Sequence, residues 1–290
     1  MTVALQTLTT PSEMSAWSRS EHRGGASIAL VPTMGALHRG HLALIEHAGT
    51  IADRVVVSIF VNPLQFDRPD DFAHYPRPVE SDIAVCAAHG VDAVYVPTAA
   101  VMYPAGYQTT VTIGSLAGVM EGASRPGHFD GVATVVTKLF TAVRPDLAVF
   151  GEKDFQQLAI VRRLSADLDL GVDVVGRPTV READGLALSS RNTRLDEAHR
   201  RAALAVPRAL EAAVRSAADG ERHATAVIDA ALGVFADEPL AVVDYVAVFD
   251  SEDLSAVTDL DALPPDRVRV ATAAFFGDVR LIDNRALFPH

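Results

Sequence analysis

The sequence predicts an α/β fold in two parts: a parallel β-sheet with crossover helices over residues 1–179, then a smaller α+β part over 180–290. Three observations predict it. Up to Val175, short apolar runs alternate with stretches whose apolar residues recur at helical spacing, the pattern of successive βαβ units. Three of those runs lead into polar clusters, as strands do where their carboxyl ends border a ligand crevice. Beyond Val180 two Ala-rich amphipathic stretches are followed by apolar strands, which reads as a small α+β domain.

The elements follow in order. Pro11 to Arg23 reads as an opening helix with Ser12 as N-cap, Glu13 in its first turn and Trp17 as core filling. Ser27 to Val31 is a buried strand ended by Pro32, and Leu42, Leu44, Ile45, Ala48, Ile51 and Ala52 carry a helix that begins near Gly40. Arg54 to Val61 is a second buried strand, ending at the cluster Asn62 to Phe66. Asp67 to Pro78 is a polar loop with three prolines. A helix through Ala88 and a strand at Asp92 to Val96 complete another unit, and Pro97 to Ser124 shows little periodicity. A helix spans Val132 to Val143, a strand spans Asp146 to Phe150, and the cluster Gly151 to Gln157 opens the next helix. Val172 to Val175 is the last strand of the sheet. Helices at Asp196 to Ala218 and Glu221 to Ala236, then strands at Ala241 to Phe249, Arg267 to Phe276 and Val279 to Ile282, fill the second part.

The stretch Val31 to His41 is the turn from the first buried strand into its helix. Unpaired N–H groups and the positive helix end make such a turn an anion site. Gly40 permits close backbone approach, and His38 and His41 can donate to phosphate oxygens, most strongly when protonated. Taken alone, two histidines there also fit a helix-capping loop. Neither a P-loop nor a G-x-G-x-x-G pattern occurs.

Composition narrows the function classes. Apolar content of 49% and charged content of 21% fit a globular protein. No apolar run approaches the roughly 18 to 20 residues of a membrane span, and the N-terminus lacks a signal-peptide layout, so a cytoplasmic location is expected. The net charge of −12 and the absence of a large Lys/Arg cluster argue against a nucleic-acid partner. The single cysteine, Cys86, rules out an intrachain disulfide and reads as a buried, inert thiol. Only Lys138 and Lys153 are lysines among 25 basic residues, so a compact point charge is of interest at both. No motif claims Lys138, which reads as a helix-surface cation.

His38-Arg39-Gly40-His41 resembles the HIGH signature of the superfamily that holds class I aminoacyl-tRNA synthetases and nucleotidylyltransferases. Six further stretches narrow the resemblance: SIFVNPLQF (Ser58–Phe66), Tyr75-Pro76-Arg77, RPGHFDGV (Arg125–Val132), FGEKDFQQ (Phe150–Gln157), READGLALSSRN (Arg181–Asn192) and RLIDN (Arg280–Asn284). With PTMGALHRGH (Pro32–His41) they resemble the pantothenate synthetase family over essentially the whole chain. The resemblance implies a Rossmann-like N-terminal domain with a small C-terminal lid, and a homodimer that uses Mg²⁺. The implied reaction is a two-step ligation. Pantoate attacks the α-phosphate of ATP to give pantoyl adenylate and pyrophosphate, and β-alanine then displaces AMP to give pantothenate. ATP contacts are implied at Met34, Gly35, Ala36, Leu37, His38, Arg39, Gly40 and His41, at Gly151, Glu152, Lys153 and Asp154, and at Val180, Leu188, Ser189, Ser190 and Arg191. His38, His41, Lys153 and Arg191 would stabilise the charge that builds as pyrophosphate leaves, with His41 as the proton donor. Gln65 and Gln157 would read pantoate, Gln65 also β-alanine. Metal ligands are not assigned; His128 is either close to the phosphates or a loop-packing residue. One departure is Leu188, where the family usually has Met, a change that conserves volume. The alternatives are a nucleotidylyltransferase that moves AMP onto a phosphate and a nucleotide-binding regulator without activity.

Overall fold

The computed structural model describes residues 5–66 and 72–289. Residues 67–71, within the loop expected at Asp67 to Pro78, lie outside the described residues. The chain divides into two compact units, and the second gathers residues 119–124, 153–159 and 179 onward. The sequence reading places a single cut at 179/180; here the GEKD motif itself is divided, between Glu152 and Lys153.

In the first unit the strands are β1 (Gln6–Leu8), β2 (Ile28–Thr33), β3 (Arg54–Ile59), β4 (Ala93–Tyr95), β5 (Leu147–Gly151) and β6 (Asp173–Arg177). All pair in parallel, in the order β1-β4-β3-β2-β5-β6, which makes the sheet Rossmann-like. The intervening helices include α1 (Pro11–Arg23), α2 (Arg39–Ile51), α3 (Val79–Ala88) and α4 (Ala99–Met102). The short α5 (Met120–Ser124) falls in the second unit, α6 (His128–Val143) in the first, and α7 (Phe155–Asp167) contributes residues to both. Val31, Ile45, Val55, Val57, Ile59, Val94 and Val149 form one of its apolar clusters, so the buried strands read as near-continuous Val/Ile runs. The chain lays β3 and β4 on one side of β2, and β5 and β6 on the other. The carboxyl ends of β2 and β5 therefore flank the topological switch point, where open α/β sheets bind ligands.

Local chemistry explains where elements start. Helix α1 is capped by Thr10, not Ser12: Thr10 Oγ1 accepts from the Glu13 N–H at 3.2 Å, and the Glu13 carboxylate accepts from the Thr10 N–H at 2.9 Å. Pro11 occupies the first helical position, where its missing N–H costs nothing. Strand β1 escaped the sequence reading because it is three residues long and mostly exposed. Helix α6 starts at His128, a turn before the expected Val132, because Gly127 takes a left-handed conformation just ahead of it. Gly131 looks like a turn residue but lies inside this helix; a Cβ there would meet the Leu64 carbonyl oxygen at 2.2 Å.

The second unit packs α8 (Glu197–Ala202), α9 (Ala205–Ala218) and α10 (Ala224–Ala236) with an antiparallel sheet of β7 (Ala241–Asp250), β8 (Val268–Phe276) and β9 (Val279–Ala286). Its core includes Val206, Leu210, Val227, Phe235, Val270, Phe276 and Leu281. The single helix expected over Asp196 to Ala218 is interrupted at Ala203 and Leu204. Pro207 is the physical reason: it has no N–H to continue the ladder and its ring crowds the carbonyl four residues back.

Candidate active site

The first unit supplies the turn between β2 and α2. His38 is the N-cap of α2, and its Nδ1 accepts from the Gly40 N–H at 3.1 Å. His41 Nδ1 accepts from the His38 N–H at 3.2 Å, and the two rings stack with centroids 4.0 Å apart. A nitrogen that accepts carries no proton, so each neutral ring bears its hydrogen on Nε2. In this arrangement Nε2 is the nitrogen of each ring left to donate to a ligand. Gly35 and Ala36 both have positive φ, +84° and +51°.

A buried carboxylate holds the turn. Asp82, on α3 and 3% exposed, accepts from the Ala36 N–H and the Leu37 N–H, each at 2.8 Å, one on each carboxylate oxygen. Nothing local announces this role, since Asp82 is 46 residues from Ala36. Cys86, one turn further along α3, is fully buried; burial, then Asp82, pushes its thiol up to about 11, as an inert thiol requires.

Gln65 lies in a 3₁₀ turn, Pro63–Gln65, beyond the end of β3. Its amide is oriented from both sides: Oε1 accepts from Asn62 Nδ2 at 3.1 Å, and Nε2 lies 3.1 Å from Met34 Sδ. Asn62, 1% exposed, also donates to the Gly131 carbonyl at 3.0 Å and accepts the Tyr103 hydroxyl at 2.7 Å. Burial, then Tyr107, pushes the Tyr103 phenol well above its usual range, so it is a lasting donor. His128 Nδ1 is 2.7 Å from the Gln65 carbonyl, and an Arg125 nitrogen donates to the same oxygen at 3.1 Å. His128 therefore holds the backbone of the Gln65 turn. Lys138 is not a helix-surface cation: it is half-buried, with Nζ 5.1 Å from the Tyr107 ring centre and 6.0 Å from that of Tyr103. Gly151 closes β5, and Glu152 follows it.

The second unit holds the remaining motif residues. Lys153 is 18% exposed at its side chain, and its ammonium is 3.9 Å from an Asp154 carboxylate oxygen, too far for a hydrogen bond. Gln157 lies in the first turn of α7. Residues 180–188 form a hairpin in which Leu188 donates to the Val180 carbonyl at 2.9 Å, bringing those two together. Ser189 then caps a 3₁₀ turn, its Oγ accepting from the Arg191 N–H at 3.2 Å. Asn192 donates to Glu182 at 2.6 Å and to the Ala187 carbonyl at 3.1 Å. Arg200 reaches Glu182 and Asp184, each at 2.7 Å. Burial pushes the Asp184 carboxyl up, but Arg200 and the Leu186 N–H outweigh it and hold it below the usual range.

Sequence reasoning singled out the motif turns but missed Asp82 and the Tyr103 hydroxyl, which support two of them, and the half-buried state of Lys138. Asn62 and the RLIDN segment were visible as motif residues without a role. Among the described residues, no group of three or more His, Cys, Asp or Glu side chains could hold a metal ion. No helix among them is long and apolar enough to cross a membrane.

The chain is similar to known proteins over nearly its whole length. The family model described as pantoate-beta-alanine ligase matches residues 6–286. A pantothenate synthetase from Heliobacterium modesticaldum is 50% identical over 272 residues, 94% of this chain and 95% of that one. One from Sphingopyxis alaskensis is 51% identical over 262 residues, 90% of this chain and 92% of the other. The crystal structure of pantothenate synthetase from Thermus thermophilus superposes with a TM-score of 0.91 at 44% identity, covering 98% of this chain and 100% of that chain. A pantoate-beta-alanine ligase from Francisella tularensis, complexed with beta-gamma ATP and beta-alanine, gives a TM-score of 0.77 at 31% identity over 98% of each chain. With a model match over nearly its full length and relatives at half identity, the chain belongs to the pantoate-beta-alanine ligase family.

Proposed function

We propose that this chain joins pantoate to β-alanine at the expense of ATP, releasing AMP and pyrophosphate. The observation that carries the reading is the family match over residues 6–286, with all of the motif donors in place. In the first step a pantoate carboxylate oxygen attacks the α-phosphorus of ATP and the bond to the bridging oxygen breaks. Charge moves onto the leaving pyrophosphate. His38 and His41, donating from Nε2, Lys153 and Arg191 are the groups that stabilise it, with His41 as proton donor. The N-terminus of α2 adds its backbone N–H groups to the same task. Met34 to His41, Gly151 to Asp154, Val180 and Leu188 to Arg191 contact ATP. In the second step the neutral β-alanine amine attacks the acyl carbon, AMP leaves with the carbon–oxygen electron pair, and the nitrogen gives up one proton to solvent.

Gln65 and Gln157 read pantoate, and Gln65 also β-alanine. The rigid amide of Gln65 supports this, because an amide both donates and accepts, as a hydroxy acid requires. Magnesium would enter with ATP, supplying charge neutralisation at the phosphates, and no side chain is assigned to hold it. The described residues form no carboxylate cage for it, and Asp82 is committed to backbone N–H groups. No step above runs through the metal. Residues 1–179 serve as the ATP- and pantoate-binding catalytic part and 180–290 as a lid that presents Ser189, Ser190 and Arg191. The reading is completed by a homodimer in the cytoplasm, with no nucleic-acid or membrane partner. Incubation with pantoate, β-alanine and ATP should yield pantothenate, AMP and pyrophosphate in equal amounts. Release of ADP and phosphate in their place would refute the adenylate route.

A further inference from the structure

The RLIDN segment carries no role in the reaction as described so far, yet its last two residues are among the most hydrogen-bonded in the second unit. Asp283 lies in β9 with a fully buried side chain. Its carboxylate takes two bonds from the Arg181 guanidinium, at 2.6 Å and 3.1 Å. Arg181 also donates to the Gly185 carbonyl at 3.0 Å, so it fixes the start and the tip of the hairpin that leads into Ser189, Ser190 and Arg191. Asn284, 4% exposed, faces the other motif: its Nδ2 donates to the Lys153 backbone carbonyl at 3.0 Å.

The direction of the Asn284 amide is not arbitrary. Its Oδ1 accepts from an Arg269 nitrogen at 2.7 Å, and a guanidinium has only donors. Oδ1 must therefore face Arg269, which leaves Nδ2 for Lys153. Arg269 is itself seated over the Phe155 ring, 4.0 Å from its centre, two residues beyond Lys153. Asp283 and Asn284 are adjacent on one strand whose register with β8 is continuous from Arg269 to Phe276. Two loops far apart in sequence, one bearing Lys153 and one bearing Ser189 to Arg191, thus refer to one dipeptide.

The geometry points to Asp283-Asn284 as a positioning device that sets the Lys153 backbone and the Ser189–Arg191 hairpin in fixed register before ATP arrives. Asn284 touches no substrate on this account; it acts through Lys153. The inference rests on the reading of Lys153 as a phosphate donor. Its logic is that donors placed in advance need no reorganisation in the transition state, and that a displacement of about 1 Å can cost roughly 100-fold in rate.

The test uses the full-length protein with Asn284→Asp and Asn284→Ala, each alone and combined with Lys153→Ala. Asn284→Asp keeps an acceptor for Arg269 but loses the donor to Lys153. Pantoate-dependent ATP–pyrophosphate exchange should fall about 10- to 100-fold in kcat. The second half-reaction, started from supplied pantoyl adenylate and β-alanine, should stay within about 3-fold, because no pyrophosphate leaves in it. In the Lys153→Ala background either Asn284 variant should cost no more than about 3-fold further, since coupled residues are not additive. Full exchange in both single variants, equal loss in both half-reactions, multiplicative losses in the double variants, or failure of both variants to fold would overturn the inference. Normal exchange by Lys153→Ala alone would instead refute the reading of Lys153 and take the inference with it. Inactive Lys153→Ala beside active Asn284→Asp sinks the inference alone.

Discussion

Replacing Asp82 by Asn should disable the site without substituting any residue proposed to contact ATP. Both Asp82 oxygens are engaged, at 2.8 Å to the Ala36 N–H and 2.8 Å to the Leu37 N–H, in a side chain 3% exposed to solvent. Hydrogen bonds to a charged partner contribute about 1.5–3 kcal/mol each, and a buried donor left without an acceptor costs a further 1–3. Asn keeps one oxygen and turns an NH₂ group toward the other backbone N–H. One bond is lost and two donors are opposed, a penalty of about 2.5–6 kcal/mol. The turn has little else to absorb this, because Ala36 already sits at φ +51°, which disfavours a residue with a Cβ. At about 1.36 kcal/mol per tenfold, the loss corresponds to roughly 70- to 25,000-fold, shared between fold stability and site competence. Trp17, the single tryptophan, is buried in α1 and reports unfolding of the first unit by fluorescence. Urea titration followed at Trp17 should show a lower midpoint, and exchange with pyrophosphate should fall at least about tenfold in kcat/KM. An unchanged midpoint together with unchanged exchange would show that the turn keeps its shape without the carboxylate.

Three further expectations follow from the same geometry. His41→Ala should cut adenylate formation by about 10²–10³-fold, the usual loss of one charge-stabilising donor, and near-normal exchange would remove His41 from the mechanism. Gly131→Ala puts a Cβ 2.2 Å from the Leu64 carbonyl oxygen, backbone that cannot rotate away, so it should destabilise by about 1–3 kcal/mol and raise the KM for pantoate more than that for ATP; equal KM values would detach the 63–65 turn from pantoate. With its thiol pushed up to about 11, Cys86 should resist iodoacetamide at pH 8 in the native protein and react once unfolded. The folded state keeps that proton longer than the unfolded one, so this group's stability contribution declines as pH rises through the window from about 9 to 11, and rapid native-state labelling at pH 8 would contradict the assignment.

The central strands β2 and β3 of the parallel sheet were legible because they are buried and read as nearly unbroken apolar runs; both appeared within two residues of their bounds. The β2–α2 turn was legible because its donors lie within a few residues of one another. What escaped depends on distance along the chain. Asp82 braces a turn 46 residues away, and Asn284 reaches Lys153 across 131 residues, so no local window holds both partners. Lys138 looked like a surface cation because helical spacing shows which face is polar but not that two tyrosines from another segment cover it. Which ring nitrogen of each histidine donates was hidden for a different reason. Sequence shows two imidazoles; only the backbone geometry shows that each Nδ1 is an acceptor. The helix break before Pro207 was, by contrast, readable from proline's missing N–H and was passed over for the surrounding alanines.

Adenylation of pantoate is the central claim, and it can be isolated from the rest of the reaction. With ATP, Mg²⁺, pantoate and labelled pyrophosphate but no β-alanine, label should pass into ATP, and removing pantoate should abolish the exchange. Exchange supported by a phosphorylated acceptor and not by pantoate would contradict the account and assign the chain's chemistry to a nucleotidylyltransferase.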